Sequence, residues 1–349
     1  MSENPHLWPA GGHRDRARAR LEQRARLPRG RAKDAHRLSA VIRPVAPGPS
    51  PTVAVVSSAS PVFDPAEARA ALSVIEAAGL GVVESEHLGQ QRGYLAGTPE
   101  ARVEDLHLAF SDPEVDVVME LRGGYGSGQL IPLLDLDLIA AHPKPFVGMS
   151  DITALHLAFG RLAGLVTLWG PTCAQLARRD SGYSLDRLLK ALQGEIAPIG
   201  GADGSPLATL CPGRARGPLV GGTTTLLAAS LGTPYELETE GRVLLLEDVD
   251  VEPYEIDRCL TQLLHAGKLD AATGFAIAEH RDVQTEHSFG GHTLELSQVF
   301  EDILVPLGRP AVYGFPLGHG ERLATVPLGV GVVLDADERT LRVLEPWFA

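Results

Sequence analysis

The sequence predicts an α/β protein: a doubly wound parallel sheet in the first half and a mixed α/β domain in the second. Three observations carry this. From Thr52 to Trp169, short apolar, β-branched runs alternate with capped amphipathic segments, the spacing of βαβ units joined by right-handed crossovers. After a Gly/Pro-rich run at Pro198–Pro206 the pattern of strands and helices changes. The chain, at 349 residues, is long for one domain and short for three.

Each element has a local reason. Arg43–Pro51 carries four prolines and a glycine and reads as a linker, so order is expected to begin after it. Thr52–Ser57 is a buried-strand run. Asp64-Pro65-Ala66-Glu67 supplies an N-cap, a first-turn proline and an early acid. The helix it opens buries Ala68, Ala71, Leu72 and Ile75 and stops at Gly79. Gly81–Glu84 is a second strand, Thr98-Pro99 opens another helix, and Val115–Leu121, Pro145–Met149 and Leu165–Trp169 are three further strands. Beyond them, one helix is expected at Leu185–Leu192. The second domain then has strands at Val243–Leu246 and Gly274–Ala278, and helices at Pro253–His265 and Leu294–Leu304. It closes with strands at Ala311–Phe315, Val326–Leu334 and Leu341–Leu344. The expected boundaries are a basic, disordered tail at 1–43, a first domain at 44–172, a linker at 173–212 and a second domain at 213–349.

Composition narrows the partners. The net charge is −13, yet residues 1–43 hold eleven basic residues against four acidic ones, and the remainder twenty against forty. A body that acidic repels nucleic acid and anionic membrane. Aromatics, at 5%, are too few for base-stacking platforms. The basic segment has no interleaved aromatics and no apolar signal region, so it reads as a solvated tail. Cys173, Cys211 and Cys259 are odd in number and far apart, which excludes a disulfide framework and a thiolate zinc site. No apolar run approaches the ~18 residues of a membrane span. The expectation is a soluble, cytoplasmic protein without a cofactor.

Two loops at the carboxyl ends of the first domain's strands invite chemistry. Arg122-Gly123-Gly124-Tyr125-Gly126-Ser127-Gly128 follows the strand Val115–Leu121. Its glycines free backbone N–H groups to face an anion or a developing oxyanion. A tight turn is the plainer reading, and the spacing fits neither a dinucleotide fingerprint nor a P-loop. The second loop, Phe146-Val147-Gly148-Met149-Ser150-Asp151-Ile152, runs from strand straight into helix. A serine there resembles a nucleophile elbow, although Ile152 stands where G-x-S-x-G has its second glycine; alternatively Ser150 simply caps the helix. Among twelve histidines, His319 stands apart because Gly318 and Gly320 let it project from a loop. An acidic partner is offered by Glu247 or Asp248, at the end of an apolar strand. The group Glu279, His280, Asp282, Glu286, His287 and His292 fits no metal-ligand spacing.

Five segments together resemble the LD-carboxypeptidase family of serine peptidases, which also contains the microcin-C self-immunity peptidases. They are Arg122–Ser127 (RGGYGS), Gly148–Thr153 (GMSDIT), Gly217–Gly222 (GPLVGG), Leu246–Arg258 (LEDVDVEPYEIDR) and Gly318–Gly329 (GHGERLATVPLG). They stand in the family's order, and the resemblance covers about residues 44–349. The resemblance implies a flavodoxin-like first domain and a barrel-like second one. It implies Ser150 as nucleophile, His319 as general base, Glu247 rather than Asp248 as its orienting partner, and an oxyanion hole from the N–H groups of Gly124 and Asp151. The implied activity is removal of the terminal D-alanine from murein tetrapeptide through an acyl-enzyme, in cell-wall recycling. The alternative is hydrolysis of peptidyl- or aminoacyl-nucleotide toxins. A homodimer is also implied. Arg122, Tyr125 and Trp169 are the expected substrate contacts. Departures from the pattern are Trp169 where histidine is common, Thr223 where asparagine is usual and Leu323 where asparagine is common; they bear on the substrate pocket.

Overall fold

A computed structural model describes residues 41–178, 181–200, 207–285 and 289–349. Residues 1–40, most of the expected tail, lie outside the described residues, as do Glu286 and His287. Order begins before the proline-rich segment. Ile42 bridges to Leu165 in parallel, and the Arg43 guanidinium donates to the Pro346 carbonyl at 2.8 Å and to Glu345 at 2.8 Å.

The first sheet contains β1 (Thr52–Val56), β2 (Gly81–Glu84), β3 (Val117–Glu120), β4 (Phe146–Gly148) and β5 (Thr167–Trp169). These five are parallel and ordered 2-1-3-4-5, the flavodoxin-like order, whose switch point lies between β1 and β3. Both faces are covered, as a parallel sheet requires: Val53 and Val55 enter one core, Ala54 and Val56 another. Capping fixes the helix starts. Asp64 accepts from Ala66 N at 2.8 Å to open α1 (Pro65–Ala77), and Thr98 accepts from Ala101 N at 3.2 Å to open α2 (Pro99–Ser111). α3 (Leu136–Ala141) and α4 (Thr153–Ala158) complete this region.

Residues 173–212, expected to be a linker with one helix, hold two helices and a strand. α5 (Cys173–Arg178) packs on α1. α6 (Ser181–Leu192) follows, and Leu176, Leu188 and Leu192 join a core of the first sheet. β6 (Ala208–Cys211) pairs antiparallel with β10 (Ala311–Phe315). The second sheet runs β13-β12-β7-β8-β9-β10-β6 and curls into a half-barrel. Its parallel centre is β7 (Arg214–Thr223), β8 (Val243–Glu247), β9 (Gly274–Ala278) and β10. The helices α7 (Thr224–Ala229), α8 (Pro253–His265), α9 (Lys268–Ala271) and α10 (Leu296–Leu304) cover it.

The expected single strand Val326–Leu334 is two strands. Gly329, at φ +92°, turns the chain between β11 (Val326–Leu328) and β12 (Gly331–Asp335). β11 pairs antiparallel with β5, as the edge of the first sheet. β12 pairs with β7 and with β13 (Thr340–Val343) in the second. Between the sheets lies a shared core containing Met149, Trp169, Leu245, Leu317 and Val326. Among the described residues, no helix is long and apolar enough to cross a membrane.

Candidate active site

Ser150 stands on a sharp turn between β4 and α4. Its φ of +64° is one of four positive values at non-glycine residues among the described positions. A left-handed serine costs about 1 kcal/mol or more, which the surrounding structure must impose. Close packing does so. A Cβ on Gly148 would lie 2.9 Å from Ile152 Cγ2 and 3.1 Å from Glu120 Cγ, so only glycine lets the strand end pass. The capping alternative for Ser150 fails: neither the short 3₁₀ turn that it opens nor α4 has a side-chain cap. Its carbonyl accepts from Thr153 Oγ1 at 2.7 Å.

The glycine-rich loop after β3 lies against this serine. A Cβ on Gly123 would sit 2.8 Å from Ser150 Cβ and 3.1 Å from its Oγ. Gly124 and Gly126 adopt φ of +117° and +124°, which glycine alone takes without strain. Asp151, the residue after the serine, ties the two loops together. Its Oδ2 accepts from Ser127 N at 2.7 Å, and its carbonyl from Ser127 Oγ at 2.6 Å. Burial raises the Asp151 carboxyl above its ordinary pKa, while the hydrogen bonds from Ser127 oppose that rise. From below, the buried Arg102 donates to the Ser58 carbonyl at 2.7 Å and the Gly126 carbonyl at 3.1 Å.

The opposite wall comes from the second sheet. Glu247 ends β8, fully buried, and its Oε1 accepts from His319 Nδ1. That bond orients the ring, so that in a neutral imidazole donating from Nδ1 it is Nε2 that can accept. Glu247 Oε2 accepts from Thr223 Oγ1 at 3.0 Å, and Thr223 N donates to Thr153 Oγ1 at 3.0 Å. A continuous hydrogen-bonded chain therefore runs from the Ser150 carbonyl through Thr153, Thr223 and Glu247 to His319. The neighbouring Asp248 faces elsewhere, accepting from Thr225 N and Val249 N at 3.0 Å each. Burial first, and the charge of Glu247 second, push the Asp248 carboxyl up to about 6.

Ser150 and His319 line one cleft of about 480 Å³, with Gly124, Arg122, Arg178 and Asp250 also on its walls. The Arg122 guanidinium donates to the Pro61 carbonyl at 3.2 Å and lies over the Phe63 ring. Burial lowers its pKa from the usual arginine value, with Arg178 adding to the effect. Two expected substrate contacts are placed elsewhere. Trp169 is fully buried between the sheets, its Nε1 donating to the Leu317 carbonyl at 2.7 Å. Tyr125 is exposed beside Tyr94 and is not among the cleft-lining residues. Thr153 carries no sequence signal of this role, because nothing local marks a helix threonine as a bridge to another sheet. Among the described residues, no group of three or more His, Cys, Asp or Glu side chains is arranged to hold a metal.

The protein is a peptidase of the serine type, a carboxypeptidase built on two α/β units. The chain belongs to the LD-carboxypeptidase family: residues 53–170 match its N-terminal domain and residues 216–334 its C-terminal domain. It is similar to a probable murein peptide carboxypeptidase of Bacillus subtilis, 41% identical over 300 residues, covering 85% of this chain and 93% of the relative. It is likewise similar to the murein tetrapeptide carboxypeptidase of Pseudomonas aeruginosa, 35% identical over 283 residues, 77% of this chain and 88% of that one. In fold it matches the muramoyltetrapeptide carboxypeptidase of Oxalobacter formigenes with a TM-score of 0.72 and 25% identity, over 83% of this chain and 97% of that structure. The microcin C7 self immunity protein MccF in complex with aspartyl sulfamoyl adenosine matches at a TM-score of 0.82 and 21% identity. That match covers 88% of this chain and all of the other, and it shows the fold alone.

Proposed function

We propose that this carboxypeptidase removes the terminal D-alanine from murein tetrapeptide, cleaving the bond that follows the L-centre of the diamino acid. The hydrogen-bonded chain from the Ser150 turn to His319 carries the reading, because it holds a strained serine and an oriented imidazole on one cleft. Ser150 Oγ attacks the scissile carbonyl carbon as its proton passes to His319 Nε2. The N–H groups of Gly124 and Asp151 receive the oxyanion, and their geometry is set in advance by the Ser127–Asp151 bonds. The C–N bond breaks as His319 returns the proton to the D-alanine amine. Water then attacks the acyl ester, gives its proton to His319, and Ser150 leaves with it. Glu247 stabilises the imidazolium that forms in each half. Arg122 supplies positive charge for the substrate's free carboxylate. Murein-peptide relatives at 35–41% identity support the substrate. The buried Trp169 offers no face on which a nucleotide base stacks.

Incubation with disaccharide-free murein tetrapeptide, with D-alanine followed by mass spectrometry, tests this. Release by the wild type and none by Ser150→Ala is the expected result. Release by both variants overturns the nucleophile assignment. No release, with Ser150 still labelled by a serine-directed probe, moves the substrate to nucleotide-linked peptides.

A further inference from the structure

A second cavity, of about 300 Å³, shares no lining residue with the cleft. It lies between the sheets, where α4 gives way to a π-helical turn at Phe159–Ala163, a helical irregularity common at functional sites. Its walls are aliphatic: Leu157, Leu165, Val166, Val220, Leu237 and Leu328. Four charged side chains also reach it, Arg161, Glu236, Glu238 and Arg242. Three have partners. Glu236 pairs with Lys268 at 2.7 Å, and Arg161 with Glu238 at 3.6 Å. Arg242 is the remainder. Its Nε is buried without a hydrogen-bond partner, although its backbone is pinned by bonds to Thr239 and Thr273 at 3.0 and 2.8 Å. A buried guanidinium nitrogen left unpaired is costly, and burial lowers the Arg242 pKa, with Arg161 adding to the effect and Glu238 opposing it.

We propose that this cavity is a binding site for a medium-chain carboxylate, its carboxylate paired with Arg242 and its aliphatic body between the leucine and valine walls. An apolar pocket in which one cation is left over from the ion pairs at its edge suits such a ligand. Charge favours this occupant over the chain's own preceding segment, which enters at Val41 on the rim and carries ten basic residues against four acidic in residues 1–40. The site also touches the nucleophile turn. His156 lines the cavity and donates from Nε2 to the Gly148 carbonyl at 2.9 Å, two residues before Ser150.

Isothermal titration calorimetry on the full chain, with octanoate, octan-1-ol and octylammonium as probes, tests the site without reference to hydrolysis. Octanoate is expected to bind at one site, at least tenfold tighter than octan-1-ol or octylammonium. Arg242→Met, which keeps the length and removes the charge, is expected to weaken octanoate at least tenfold and leave octan-1-ol unchanged. Ser150→Ala is expected to bind octanoate as the wild type does. Absence of octanoate binding, equal binding of octylammonium, unaltered affinity in Arg242→Met or lost affinity in Ser150→Ala would each overturn the proposal.

Discussion

Ser127 and Asp151 are joined twice, once from the Ser127 backbone N–H to the Asp151 carboxylate and once from the Ser127 hydroxyl to the Asp151 carbonyl. The glycine-rich loop and the serine turn thus behave as one rigid piece, although 24 residues separate the partners.

Breaking that link is expected to cost catalysis more than folding. Ser127→Ala removes the 2.6 Å bond and leaves a buried carbonyl short of a donor, worth about 1–3 kcal/mol of stability. If the Gly124 and Asp151 N–H groups receive the oxyanion as proposed, their looser placement is expected to lower kcat ~10-fold or more with KM little changed. Urea titration and steady-state kinetics on the same preparation measure the two effects separately.

Thr223 supports Glu247 from behind, so its hydroxyl is expected to matter without touching substrate. Thr223→Val keeps the shape and deletes the 3.0 Å bond to Glu247 Oε2. A fall in kcat of about tenfold is expected, from an effect of ~1–2 kcal/mol, and Thr223→Ser is expected to restore it. Equal rates in all three proteins would remove Thr223 from the positioning chain.

Gly123→Ala places a methyl group 2.8 Å from Ser150 Cβ and 3.1 Å from its Oγ. Since the crowded neighbour is the serine itself, D-alanine release and probe labelling are expected to fall together by ~100-fold, while the thermal midpoint moves by only a few degrees. Unchanged labelling would show that the serine does not need that backbone so close.

Glu120, buried at the end of β3, gives the fold a pH dependence. Burial first raises its carboxyl from 4.5 to about 8, and the hydrogen bonds from Ser58 oppose this. The folded chain therefore holds a proton that the unfolded chain releases above pH 4.5, and stability falls as pH rises toward 8. His156 acts oppositely: burial lowers it from 6.5 to about 4, so stability falls as pH drops through that interval. The two slopes offset one another below 6.5, and Asp248, shifted to about 6, titrates mostly below that pH. Between pH 6.5 and 8 the slope from Glu120, at most about 1.4 kcal/mol per unit, runs in the same direction as that of His87, whose hydrogen bond to Asp105 raises its pKa from 6.5. Glu120→Gln is expected to flatten it, as read by denaturant midpoints across that range.

The first sheet was legible because its strands are short apolar runs separated by capped helices, with glycine at or just after the carboxyl ends of β3, β4 and β5, and parallel strands covered on both faces take that form. Ser150 and His319 could be noticed because one sits at a strand-to-helix junction and the other between glycines. The choice between Glu247 and Asp248 was not legible from the residues, since both end the same strand and only side-chain direction separates them. Nor was the break at Gly329: Val326–Leu334 is a nearly continuous apolar run, and composition does not say which sheet each half joins. The same limit applies to Trp169. A tryptophan at a strand's carboxyl end suits a pocket or a core equally well, and its hydrogen bond to Leu317 depends on a residue 148 positions away.

β11 gives the molecule a sense of timing. The strand that flanks β5 at the border of the first sheet is made of residues 326–328, which are synthesised long after β5 itself. Until they emerge, the nascent first half has an open strand beside β5, and Trp169 lacks the Leu317 carbonyl that receives its N–H. His319 is likewise still to come. A chain interrupted anywhere before that point holds the serine without the imidazole that the proposed mechanism requires, so on that mechanism the growing polypeptide is inactive until His319 has been made.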